Sequence, residues 1–133
     1  MIVEIHLRIV GALLMIVALL HSIFPRYFKW KEELARVSLI NRQMMYVHSL
    51  FLALGVFGMG ALCVLSSSEL VNTGLGKRVC LGLGVFWVLR LFVQFVGYSS
   101  KNWRGKRFET AVHVGMVGLW GYVSGVFLWC AAR

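Results

Sequence analysis

All four histidines in this 133-residue chain lie near the ends of long apolar segments, where an ionisable side chain is costly and therefore informative, and three of them share one side. These three are His21, His48 and His113. In helices that rise ~1.5 Å per residue, each imidazole falls about one turn inside its segment. Because successive segments alternate in direction across a membrane, these three ends share one side. The spacing therefore predicts a single layer of three imidazoles.

Other polar residues fall at or near the same depth. Gln94 belongs to this layer, and Arg90 lies four residues earlier, on the same helix face. Glu109 lies four residues before His113 and shares its face. We predict a polar cavity that binds a metal ion, haem or a small ligand and opens to the cytoplasm. Its predicted lining is His21, His48, Arg90, Gln94, Glu109 and His113, with Asn41 and Arg42 just above.

Several chemistries fit this set. Three imidazoles with Glu109 and an open position are typical of a catalytic transition-metal site, with Zn or non-haem Fe as the metal. Two of the three histidines on facing helices can instead hold haem b. A metal-free pocket in which histidine transfers protons is a third interpretation. In the fourth interpretation the polar residues have a structural role only: they join helices or contact lipid headgroups.

The three histidines give the chain a loose resemblance to membrane b-type cytochromes, which hold haem between spans with histidine pairs. Such cytochromes carry two pairs, whereas the single outer histidine here, His6, has no mate. The resemblance therefore implies at most one haem. Three cysteines also fall near the outer ends: Cys63, Cys80 and Cys130. Together with His6 they are a weak candidate metal set, and a Cys63–Cys80 disulfide is the alternative in an oxidising compartment.

Arg90 is the most informative single residue, because it lies deep in the third apolar segment. An arginine there either extends its side chain to the interface or has a partner. The candidate partners are Glu109, a lipid phosphate, a substrate carboxylate and a quinone carbonyl. We favour an Arg90 that faces the interior of the bundle.

The elements that position these residues follow from composition. Hydrophobic residues make up 59% of the chain and charged residues only 14%, against about 25% in soluble domains. Four apolar segments, at about 5–24, 44–65, 79–98 and 110–131, are long enough to cross a bilayer as helices. The predicted fold is an all-α integral membrane protein, a single domain over 1–133. Its four transmembrane helices form an up-down bundle.

Charge predicts orientation. The net charge is +9, and most cations fall in the first and third loops. By the positive-inside rule both long loops are cytoplasmic and both termini are outside, in the periplasm of a bacterial inner membrane. The expected partner of these cations is the anionic headgroup surface, not nucleic acid. The loop cations are Arg26, Lys29, Lys31, Arg36, Arg42, Lys101, Arg104, Lys106 and Arg107.

The first loop and the fourth segment suggest contacts beyond the bundle. Residues 27–40 show helical amphipathicity, which predicts a short interfacial helix at the cytoplasmic surface. Gly121 and Gly125 form a small-residue pair of the kind that packs helices closely, either within the bundle or in a homo-oligomer. The alternative functions are a non-catalytic accessory subunit of a larger membrane complex and half of a small transporter.

Overall fold

The computed structural model describes residues 2–98, 100–102 and 104–133, without the side chain of Ser100. Within these ranges all regular secondary structure is helical. The elements are α1 (Ile2–Leu20), α2 (Phe24–Tyr27), α3 (Trp30–Glu33), α4 (Leu39–Leu65), α5 (Ser67–Asn72), α6 (Gly74–Val96), a 3-10 turn (Ser100–Asn102) and α7 (Arg107–Ala132).

Four of these helices, α1, α4, α6 and α7, are long and apolar enough to span a membrane, which confirms the predicted number. Their starts differ from the predicted ones: α4 begins at Leu39 and α6 at Gly74, five residues before the apolar segments do. The reason is that backbone hydrogen bonding continues through polar residues such as Arg42 and Lys77, which apolar composition alone does not include.

The loop between α1 and α4 does not form one continuous helix over 27–40. It contains two single helical turns, α2 and α3, separated at Lys29, whose backbone is left-handed with φ of 53°. A left-handed residue interrupts the helical hydrogen-bond ladder, so residues 27–40 do not form the single amphipathic helix that the sequence predicts. Pro25 occupies the first turn of α2, where its missing N–H is not needed.

The chain divides into two compact units, which we describe separately. The first, the α1–α4 unit, comprises residues 8–67. In it α1 and α4 approach closely at Gly11 and Gly60. A Cβ atom added at Gly60 would lie 2.6 Å from the Gly11 carbonyl oxygen and 2.7 Å from Met15 Cγ. Glycine is required here because helices in lipid associate through close backbone packing.

The second, the α6–α7 unit, comprises residues 1–7 and 68–133. Thr73 caps α6, its Oγ1 accepting a hydrogen bond of 2.9 Å from the Gly76 N–H. Residue numbers that rise along α6 fall along α7 in the contacting pairs, so the two helices are antiparallel. The pairs are Cys80 with Cys130, Trp87 with Trp120, and Gln94 with His113.

Candidate polar site between α6 and α7

Three of the predicted site residues form a hydrogen-bonded chain across the α6–α7 unit. Arg90 Nη1 donates to Gln94 Oε1 at 3.1 Å, one helical turn along α6. The Gln94 amide nitrogen lies 2.9 Å from His113 Nδ1 on α7. Gln94 itself is buried, whereas Arg90 and His113 are half-buried. The sequence therefore brings a cation, an amide and an imidazole together through one buried side chain.

The arginine fixes the direction of every hydrogen bond in this chain. A guanidinium can only donate, so the Gln94 oxygen must face Arg90 and the Gln94 NH₂ must face His113. His113 Nδ1 is then the acceptor. In the neutral imidazole the proton therefore resides on Nε2. The charge of Arg90 thus selects one histidine tautomer through a neutral relay.

Aromatic rings complete the surroundings of Arg90. The guanidinium carbon lies 5.2 Å from the Trp120 ring centroid and 5.7 Å from that of Tyr98. These are cation–π distances, and they stabilise the charge without using the N–H donors. Trp120 also stacks on Trp87, with centroids 4.8 Å apart and planes 14° apart. Neither buried indole N–H has a hydrogen-bond partner among the described residues.

The positive charge of Arg90 has no carboxylate partner in the described part of the chain, where its contacts are Gln94, Tyr98 and Trp120. Glu109, the predicted partner, is an exposed residue in the first turn of α7. Arg90 lies six residues before the end of α6, which corresponds to about 9 Å of helix rise. An uncompensated cation at that depth is unfavourable in a bilayer.

The remaining predicted site residues belong to the α1–α4 unit. The ring nitrogen Nδ1 of His21 lies 2.8 Å from the Val17 carbonyl oxygen, and the His21 ring packs on Phe24 with centroids 4.8 Å apart. His48 is exposed on α4. Asn41 is exposed and Arg42 half-buried in the first turn of α4. A cavity shared with His113 stays a prediction.

The metal interpretation receives no support from the structure. Over residues 2–98, 100–102 and 104–133, no group of three or more His, Cys, Asp or Glu side chains is arranged to hold a metal ion. In the α6–α7 unit, His6 Nδ1 lies 2.7 Å from the Tyr122 hydroxyl oxygen. Of the three cysteines, Cys80 and Cys130 are in direct contact, and none forms a disulfide.

Sequence reasoning missed the aromatic part of this site. Tyr98 follows Arg90 and Gln94 at the same four-residue interval, so extending the helical row by one step would have included it. Trp120 lies seven residues after His113, two turns along the same face of α7. The signal for both aromatic residues is therefore present in the spacing of the sequence.

Comparison with protein-family models, with curated proteins and with solved structures finds no match for this chain.

Proposed function

We propose that this integral membrane protein binds the anionic headgroup of an amphiphile at Arg90, between α6 and α7. The observation that carries the proposal is the half-buried Arg90 cation, which has aromatic and amide contacts but no carboxylate among the described residues. A bound carboxylate or phosphate supplies the missing negative charge.

The donors at Arg90 suit such a group. Of the five guanidinium N–H groups, one is directed to Gln94, and the contacts with Trp120 and Tyr98 use only the charge. Four N–H groups remain, and two parallel ones among them can bind a planar carboxylate or a phosphate in a bidentate way. Gln94 accepts a hydrogen bond from Arg90 and its amide nitrogen faces His113, so the side chain holds the guanidinium in position.

The surroundings favour a ligand that comes from the bilayer rather than from water. Phe92, Phe95 and Val96 on α6 are exposed apolar side chains near Arg90 in sequence, which can contact an acyl chain. The basic residues Lys106 and Arg107 line an open groove at the start of α7. Their charges raise the local concentration of anionic headgroups.

The proposed arrangement in the membrane follows from the charges of the loops. Both long loops are cytoplasmic, both termini are outside, and the four long helices form an up-down bundle in a bacterial inner membrane. The two short turns α2 and α3 lie at the cytoplasmic headgroup level, where Lys29, Lys31 and Trp30 contact lipid. In this arrangement the Arg90 site opens toward the cytoplasmic leaflet.

Native mass spectrometry of the detergent-purified protein tests the proposal. The probes are phosphatidic acid and oleate as anionic amphiphiles, phosphatidylcholine as the zwitterionic control, and inorganic phosphate and acetate as soluble anions. We expect both anionic amphiphiles to bind. Replacing Arg90→Gln removes one bidentate charged contact of about 1.5–3 kcal/mol, so binding should weaken roughly tenfold to a hundredfold.

Two further variants separate the site from general charge effects. Arg78→Gln removes an exposed cation from the other end of α6 and should leave affinity unchanged. Gln94→Glu keeps Arg90 but gives it an internal carboxylate, which should exclude the ligand as effectively as Arg90→Gln. Equal affinity of all four proteins for phosphatidic acid would contradict the proposal and favour an accessory subunit. Binding of inorganic phosphate but not of phosphatidic acid would indicate a soluble ligand.

A further inference from the structure

The outer part of the α6–α7 unit contains a second chemically distinct feature, a pair of buried thiols. Cys80 lies on α6 and Cys130 on α7, and their Sγ atoms are 2.8 Å apart. Both residues have no exposed surface. This pair is separate from the Arg90 site, because Cys80 precedes Arg90 by ten residues, or about 15 Å of helix rise.

The backbone around the pair holds the two thiols together. Next to them α6 and α7 approach closely, since a Cβ atom added at Gly84 would lie 3.3 Å from the Leu128 backbone nitrogen and 2.7 Å from Leu128 Cδ2. The helix α5 covers the pair, with the Leu70 carbonyl oxygen 3.5 Å from Cys130 Sγ. The α5 segment is in turn fixed by Gly76, where an added Cβ would collide with the Glu69 and Leu70 backbone.

We propose that Cys80 and Cys130 are a redox-active dithiol that is oxidised to a disulfide by a bilayer-dissolved quinone. Their sulfur atoms need to approach by less than 1 Å to reach a bond length of about 2.05 Å. In the reaction both S–H bonds break and one S–S bond forms. The two electrons and two protons pass to the quinone, which leaves as the quinol.

A quinone is the class of oxidant that the surroundings favour. The thiols lie in helices apolar enough to span a membrane, a phase that charged water-soluble oxidants do not enter. A quinone partitions into the same apolar phase and accepts two electrons and two protons. The resulting disulfide joins α6 to α7 covalently at the end of the unit away from Arg90.

The experiment treats the full-length protein in detergent with duroquinone, whose fully substituted ring cannot alkylate thiols. The remaining thiols are then blocked with N-ethylmaleimide, and the protein is digested and analysed by mass spectrometry. We expect one peptide pair linked through Cys80 and Cys130, a loss of two hydrogens, and one duroquinol formed per protein. Oxidation should also raise the Tm, because the cross-link constrains the unfolded chain.

The control variants assign the result to this pair. Cys63→Ser should give the same cross-link and the same yield of quinol as the unaltered protein. Cys130→Ser should give no quinol and should leave Cys80 open to N-ethylmaleimide after denaturation. The proposal is overturned if duroquinone leaves both thiols of the unaltered protein reactive, or if the recovered disulfide contains Cys63.

Discussion

The hydrogen bond between Gln94 and His113 provides a quantitative test of the polar chain between α6 and α7. Gln94→Leu keeps the approximate size of the side chain but removes two hydrogen bonds, one of them from the charged Arg90. Hydrogen bonds between transmembrane helices contribute about 0.6 kcal/mol on average and at most about 1.7 kcal/mol. A bond from a charged donor contributes about 1.5–3 kcal/mol. The free energy of unfolding should therefore fall by about 2–4 kcal/mol.

The assay is a double-mutant cycle measured by SDS-driven unfolding in mixed micelles and followed by circular dichroism. The cycle compares Gln94→Leu, His113→Leu, the double variant and the unaltered protein. The cycle subtracts all other contacts of the two residues, so the coupling energy isolates the hydrogen bond of 2.9 Å between Gln94 and His113. We expect a coupling of about 0.5–1.5 kcal/mol. Effects that add within about 0.3 kcal/mol would refute the bond and the tautomer derived from it.

Two further predictions concern helix packing and capping. Gly60→Ala should lower the free energy of unfolding by about 1–3 kcal/mol, because the new methyl group collides with the Gly11 carbonyl oxygen. Gly58→Ala, two residues earlier on α4 with no atom within 4 Å of the new Cβ, should be neutral or stabilising by up to about 1 kcal/mol. Equal losses for Gly60→Ala and Gly58→Ala in SDS unfolding would exclude the close approach. Thr73→Ala should cost about 1 kcal/mol through loss of the cap of α6. Ser38→Ala should leave the free energy of unfolding nearly unchanged, since Ser38 makes no side-chain cap hydrogen bond. If Ser38→Ala lowered the Tm as much as Thr73→Ala does, the capping role of Thr73 would be contradicted.

The long helices could be predicted from sequence because their length and hydropathy are properties of contiguous residues. The interval between Arg90 and Gln94 is also local, and the structure joins these two by a hydrogen bond. By contrast, the first loop depends on one left-handed backbone position at Lys29, which is not a residue type that favours this conformation. Nothing in the amphipathic periodicity of that loop indicates the break.

Contacts between distant segments were harder to predict, because depth in a membrane fixes only one of three coordinates. Glu109 precedes His113 by one turn, yet it remains exposed while His113 contacts Gln94. Gly121 and Gly125 were expected to pack against a neighbour, but an added Cβ at either would meet no atom within 4 Å. Their role in an oligomer stays a prediction. Which face of a helix meets its neighbour depends on packing between distant segments, which the local sequence does not determine.

The stacked indoles of Trp87 and Trp120 give the protein an intrinsic optical signal. Two parallel chromophores 4.8 Å apart couple their electronic transitions, and only 2% and 4% of their surfaces are exposed. The circular dichroism of the indole pair should therefore depend on the register of α6 against α7. Since the Arg90 guanidinium lies over the Trp120 ring, ligand capture should change the emission of that indole. The chain thus contains its own reporter of both helix packing and site occupancy, without an attached label.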